Sequence, residues 1–187
     1  VLEVPARAIL VGLVIIALIA AAAVVGGRRT VAPPLPDFDH SSPVFRLTGS
    51  MSVARVDATA VRLAAGTVLI VGGWGFVGGS APAFATAEIS DPRTGPFRTT
   101  GSMTQARARA SATLMRDGRV LVAGGYSIAP ISGGGIPDAI ASAEVYDPAS
   151  GTFTRAGSMH ESRAEHGAVL LTSGEVLVVG GVGGTLK

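Results

Sequence analysis

The sequence predicts an all-β fold, a run of short four-stranded antiparallel sheets behind one N-terminal hydrophobic helix, and three observations predict it. First, a tripeptide returns as Gly49-Ser50-Met51, Gly101-Ser102-Met103 and Gly157-Ser158-Met159, at periods of 52 and 56 residues. Second, an arginine follows each methionine by four residues (Arg55, Arg107, Arg163), and 17 residues later a glycine pair begins: Gly72-Gly73, Gly124-Gly125, Gly180-Gly181. Third, the apolar runs before those glycines (Val68–Val71, Val120–Ala123, Val176–Val179) are strand-length, which excludes helical repeats of similar period. An antiparallel sheet of four strands repeated about every 50 residues is the blade of a β-propeller.

From Ala8 to Gly27 there are 20 residues without a charge. As a helix they would span about 30 Å, the hydrocarbon thickness of a bilayer. Residues 1–29 therefore read either as a transmembrane anchor or as a secretory signal, in which Arg7 precedes an apolar Ile9–Ile19 region and Ala20-Ala21-Ala22 offers a cleavage site. One arginine precedes the segment and two, Arg28 and Arg29, follow it, a bias that alone favours a cytoplasmic C-terminal side. A single hydrophobic segment ahead of a cysteine-free β-domain is nonetheless most simply an export device. The expected location is the membrane, single-pass with an extracytoplasmic propeller, or secreted if residues 1–22 are removed. Residues 30–43, with four prolines, read as an extended linker.

Residues 44–187 form the repeat domain, in units 45–96, 97–152 and 153–187. In each, a first strand follows the arginine and ends at Ala65-Gly66, Asp117-Gly118 or Ser173-Gly174. The dense apolar strand comes next and the glycine pair ends it. A third strand runs through Glu88 or Glu144 to a turn with Asp-Pro at its start and glycine at its end (Asp91-Pro92 to Gly95, Asp147-Pro148 to Gly151). The fourth begins at Phe97 or Phe153, with Phe45 in the same phase. The four-residue difference between periods falls between glycine pair and glutamate, which marks a loop.

The glycine pair after an apolar strand, Glu-x-x-Asp-Pro-x-x-Gly, the aromatic position and Gly-Ser-Met-x-x-x-Arg together resemble the kelch family, in the bacterial form also found in galactose-oxidase-like proteins. The resemblance covers Phe45 to Gly181. The sequence departs from it where phenylalanine stands for the frequent tryptophan, where Ser90 replaces the tyrosine seen at Tyr146, and where only the third copy carries a histidine, His166. Under three blades are supplied, whereas a propeller closes with about four to eight. The expectation is an open arc with an unpaired sheet edge, its remaining blades supplied by missing C-terminal sequence, or else by assembly of copies.

Composition narrows the function classes. Only 15% of residues are charged and 48% are hydrophobic, so the chain can bury a core. The absence of cysteine removes disulfides, thiolate metal sites and cysteine nucleophiles. Beyond residue 29 the 12 basic and 12 acidic side chains balance, so no nucleic-acid footprint is expected. Asparagine is missing and Lys187 is the single lysine against 14 arginines, usage typical of GC-rich genomes and hence of a bacterial source.

Strand alternation puts the loop after the second strand and the link into the next first strand on one face. That face gathers Trp74, Phe76, Phe84, Tyr126, Ile128 and Asp138 from the loops, and Met51, Met103, Met159 and His160 from the links. Of these, Trp74, Phe76, Tyr126, Asp138 and His160 are the candidate binding residues, set against the plainer role of covering sheet ends. Arg55, Arg107 and Arg163 recur once per unit, and the resemblance implies a position near the central channel. A cation ring for an anionic ligand is one reading; a structural pair with Glu88 or Glu144 in each blade is the favoured one. Gly73-Trp74-Gly75-Phe76-Val77-Gly78 matches G-x-G-x-x-G, but Pro82 and a further strand follow it, not a helix, so it does not read as a nucleotide site. His160-Glu161 and His166 sit six residues apart, which on a helix diverges by about 240° and suits no zinc motif.

The function expected from these features is a membrane-tethered or exported binding module, non-catalytic in this segment and without a cofactor, presenting its loop face to a glycan or protein. The alternative is the N-terminal part of a galactose-oxidase-like or sugar-mutarotase-like carbohydrate enzyme. The resemblance implies, for galactose oxidase, copper with a cysteine-crosslinked tyrosine, which a cysteine-free segment cannot form.

Overall fold

A computed structural model describes residues 48–78, 80–128 and 139–183. The N-terminal hydrophobic segment, the linker, Phe45 and Asp138 lie outside them. Among the described residues there is no helix long and apolar enough to cross a membrane.

Ten strands make three antiparallel sheets. The first holds β1 (Thr59–Arg62), β2 (Val68–Val71), β3 (Ala87–Ser90) and β4 (Phe97–Thr99) in sequential order. The second repeats it with β5 (Ser111–Leu114), β6 (Val120–Ala123), β7 (Ser142–Asp147) and β8 (Thr152–Ser158), and the third holds β9 (Gly167–Leu170) and β10 (Val176–Val179). Registers repeat as well: Thr59 faces Val71, Ser111 faces Ala123 and Gly167 faces Val179. The first hairpin of each sheet closes through the same bonds, Leu63 N–H to Thr67 C=O, Met115 to Arg119 and Leu171 to Glu175, each at 2.8 Å. At the outer turn the Asp91 and Asp147 carbonyls accept from Gly95 and Gly151 N–H at 2.8 Å, while their carboxylates accept from Arg93 and Ala149 N–H. An Asx turn of this kind needs aspartate at its head and a residue free to take positive φ at its end. Gly95 and Gly151 supply φ of 86° and 70°.

Successive sheets touch through their first strands, β1 against β5 and β5 against β9. The arrangement is consistent with consecutive wedges of a partial propeller. The core lies between the first two sheets, where Leu63, Leu69, Val71, Ala87 and Ile89 meet Met103, Val120, Val122 and Tyr146. Tyr146 is fully buried, its hydroxyl 2.8 Å from Thr100 Oγ1 and its ring beside Phe153 at 4.8 Å. Ser90 holds the same phase in the first sheet without an aromatic ring.

The glycine pairs set the spacing between sheets. A Cβ on Gly72 would lie 2.2 Å from the Arg107 carbonyl oxygen, and one on Gly124 2.3 Å from that of Arg163. The next residue donates to that same carbonyl: Gly73 N–H to Arg107 at 2.8 Å, Gly125 N–H to Arg163 at 2.9 Å. The lead-in to each sheet thus passes where a side chain would otherwise stand, and both glycines take positive φ. Gly124→Ala is therefore expected to cost about 3 kcal/mol or more, whereas Gly118→Ala, also at positive φ but in open space, costs about 1 kcal/mol from backbone strain alone. Denaturant unfolding of the two variants checks the difference.

Candidate functional site

The lead-in arginines are anchored by the sheets they enter. Arg55 donates through Nη1 to the Gly72 and Thr86 carbonyls at 2.9 and 3.0 Å, and through Nη2 to Glu88 Oε1 at 2.8 Å. Arg107 repeats this with the Gly124 and Ser142 carbonyls at 3.0 and 2.7 Å and Glu144 Oε1 at 3.2 Å. All four charged side chains are 1% exposed. The carboxylates also receive the lead-in backbone: Ser52 N–H and Oγ donate to Glu88 at 3.0 Å, and Thr104 and Gln105 N–H to Glu144 at 2.7 and 3.2 Å. Burial alone would raise the Glu88 carboxyl, but the Ser52 donors and Arg55 outweigh it and hold it below its ordinary value of 4.5. Arg163 donates to the Gly180 carbonyl at 2.7 Å and pairs with Glu161, an exposed neighbour, at 3.1 Å.

With Nη1 and Nη2 committed to carbonyls and carboxylate, Arg55 and Arg107 clamp the lead-in segment onto its sheet, and no fork remains for an anionic ligand. Removing one partner of such a pair strands a buried charge.

Two residues beyond each arginine lies a second charged array that the sequence reading passed over. Asp57, Arg109 and Glu165 all take left-handed backbone, at φ of 55°, 54° and 58°. Arg109 N–H donates to the Asp57 carbonyl and Glu165 N–H to the Arg109 carbonyl, both at 3.1 Å, so the three form a ladder across successive sheets. Their side chains alternate in sign. Arg109 Nε donates to Asp57 Oδ2 at 2.8 Å, and its Nη1 bonds Glu165 Oε1. The signal was present as phase rather than identity, since the positions read Arg-Val-Asp, Arg-Ala-Arg and Arg-Ala-Glu and a search for repeated letters misses them. Left-handed arginine and glutamate are uncommon and persist where surroundings over-determine them.

The loop residues stand against this ladder. Trp74 Nε1 donates to Asp57 Oδ2 at 2.9 Å, and Trp74 is only 8% exposed. Burial would raise the Asp57 carboxyl, yet Trp74 and Arg109 together hold it below its usual value. Tyr126, in the same phase as Trp74, is 3% exposed, and burial followed by the Glu165 charge pushes its phenol up. Trp74 and Tyr126 brace the loops and show little surface. Phe76 does the reverse: it is 76% exposed and sits edge-on to Trp74 at 5.7 Å. Ile128, the equivalent of Phe76 in the second unit, is half exposed, as are Val56 and Val77. Phe84 lies under the Arg55 guanidinium, 5.5 Å from it, and His160 is exposed with no hydrogen bond to the rest of the described residues. The structure thus brings Trp74 and Phe76 together and places His160 in the link before the third sheet.

His166 joins the second and third sheets, its Nε2 2.8 Å from Ser111 Oγ, while buried Nδ1 has no partner. Burial, and then the nearby Arg163 charge, push its pKa below the ordinary 6.5. Two cavities lie among these elements. One of about 360 Å³ is lined by Thr104, Gln105, Arg107, Glu144 and Arg155; one of about 570 Å³ by Glu161, Ser162, Arg163, Gly181 and Gly183. Among the described residues no group of three or more His, Cys, Asp or Glu is placed to hold a metal ion.

No family model matches the chain, and no curated protein matches it either. Among solved structures it is similar to the structure of YjhT, at 17% identity and a TM-score of 0.53, over 61% of this chain and 40% of that one. It is also similar to a novel fungal alcohol oxidase with catalytic diversity among the AA5 family, in complex with copper. There the identity is 23% and the TM-score 0.55, over 69% of this chain and 27% of that one. The chain spans less than half the length of either. At such identities the likeness speaks for fold alone, and it supports a kelch/galactose-oxidase-like fold over the part covered.

Two outcomes follow from this geometry. Arg107→Ala is expected to lower stability by about 3–5 kcal/mol, read as a fall in denaturation midpoint, because it leaves Glu144 buried and unpaired. Stability is expected to fall with acid in two stages. A histidine depressed in the folded state lets the unfolded chain take the proton first, so the His166 contribution is present above pH 6.5 and is lost as pH drops below it. The depressed Glu88 contribution is present above pH 4.5 and is lost below that. His166→Gln should abolish the upper stage of a pH-dependent melting series and leave the lower one.

Proposed function

We propose that the chain is part of a kelch-repeat binding module, tethered to or exported across a membrane by residues 8–27, that presents its loop face to a glycan or protein partner. The supports are the in-phase repeat, the fold likeness, the uncharged N-terminal run and the surface chemistry of the loops. The observation that carries the reading is Phe76. The ring is 76% in solvent, its neighbours in sequence include the half-exposed Val77, and it meets edge-on the Trp74 that Asp57 hydrogen-bonds, so it adds surface where a bonded side chain supports it. A rigid exposed aromatic stacks on the apolar face of a sugar or fills a pocket on a protein at little entropic cost. The loop bearing it is uncharged from Gly72 to Ala87, which favours a neutral contact over ionic capture.

Binding of the chain to a glycan array and to partner proteins in pull-downs tests this reading. Phe76→Ser is expected to weaken the interaction by about tenfold or more while the melting temperature stays unchanged, because the ring contributes surface and not core. Silence in both assays, or binding indifferent to Phe76, overturns it.

A further inference from the structure

At the end of the sheets away from the loop face, where the hairpin turns lie, the seam between the first two sheets is open. Its walls belong to two complete four-stranded sheets: Leu63 and Ala64 from the β1–β2 turn, Ile89 and Arg98 from β3 and β4, and Gly118 and Pro148 from turns of the second sheet. They line a cleft of about 300 Å³, at the small end of the range for ligand pockets. Leu63 and Ile89, 4% and 6% exposed, form its apolar floor.

The next seam shows what closes such a cleft. There Arg116, in the phase of Ala64, reaches across to the Thr172 carbonyl, and its Nη1 lies 3.9 Å from the Cβ position of Gly174. In the first seam the alanine is too short to cross, and a Cβ on Gly118, the counterpart of Gly174, would meet nothing within 4 Å. The turns differ to match: Leu63-Ala64-Ala65-Gly66-Thr67 is uncharged, whereas Met115-Arg116-Asp117-Gly118-Arg119 carries three charges. One cation stands over the open floor. Arg98 faces Ile89 across β4 and β3, so the two side chains share the side of the sheet that meets the second sheet. Thr154 takes that place in the second sheet. Arg98 is exposed and makes no ion pair among the described residues. The aspartates of the adjoining turns are engaged elsewhere: Asp91 binds Arg93 through both oxygens at 3.1 and 2.9 Å, Asp117 binds Arg119, and Asp147 accepts from Ala149 N–H.

We propose that this cleft binds a small monocarboxylic acid with a branched aliphatic or aryl body, the Arg98 guanidinium taking the carboxylate and Leu63, Ile89 and Pro148 the apolar part. A guanidinium fork matches a carboxylate with two parallel hydrogen bonds, and an apolar floor favours a carbon body over a bare ion. The uncharged Ala64-Ala65 rim adds no second cation, which suits one carboxylate and not two.

Ligand-observed NMR titration of the full chain with isocaproate and phenylacetate tests this, with isocaproamide as the uncharged control. The expected result is saturable binding of both acids and none of the amide. Arg98→Gln should weaken binding by about tenfold or more by removing the charged fork. Ala64→Arg should abolish it by laying over the first seam the strap that Arg116 lays over the second. Both positions are exposed, so neither change should move the melting temperature. Phe76→Ser should leave acid binding intact, which separates this cleft from the loop face. No saturable binding up to millimolar acid overturns the proposal. So does binding that Arg98→Gln leaves at full strength, the result expected if the acids only partition onto the apolar run of residues 8–27. Circular dichroism of each variant confirms the fold, and if Arg98→Gln fails to fold, Ala64→Arg decides alone.

Discussion

Everything in this architecture depends on one backbone contact, the N–H of the second glycine in the first and second pairs, Gly73 and Gly125, bonding the carbonyl of the next lead-in arginine. It brings two main chains so close that no Cβ fits between them, and it therefore dictates a glycine. The same arginine then uses its side chain on its own sheet, gripping the carbonyl of that sheet's first glycine and the buried glutamate. One residue thus faces both ways: its main chain belongs to the preceding sheet and its guanidinium to the following one. Periodicity is the consequence, because the link can only be repeated at the spacing of whole units.

The fold was legible because its determinants are strict. Positive φ and close approach require glycine at Gly72 and Gly124, burial and pairing require arginine with glutamate, and tight turns require aspartate and glycine, so the letters repeat. The three-sheet, all-β arrangement follows from those letters alone. The ladder of Asp57, Arg109 and Glu165 was not legible for the opposite reason. Its backbone role asks only for a left-handed residue, and its side chains satisfy one another by alternating sign, so three different letters serve one place. Trp74 and Tyr126 show a related limit. An aromatic residue in a loop reads as surface, and only coordinates reveal that bridges to Val56 and Ala108 fold these rings inward.

Electrostatics divide the molecule into layers. The arginine–glutamate pairs are closed off from solvent and hold each lead-in segment on its sheet, with the cost of desolvating both charges offsetting much of their attraction. The ladder is partly exposed, with side chains between 25% and 40% accessible, and Arg109 is shared by two carboxylates. Beyond it the first loop, from Gly72 to Ala87, carries no charge. Moving outward from the sheets the surface passes from paired ions to mixed polar groups to the exposed Phe76 and Ile128, so the desolvation cost of covering it falls toward the tips.

The loop between the first glycine pair and β3 closes upon itself: Gly75 N–H bonds the Pro82 carbonyl, Val77 and Ser80 bond each other, and none of these reaches a neighbouring sheet. Loop tip and scaffold are in this respect mechanically decoupled. Insertions or substitutions at that tip alter the exposed surface without disturbing the hydrogen bonds that align one unit with the next, which gives descendants of such a repeat freedom to vary the tip while inheriting an unchanged frame.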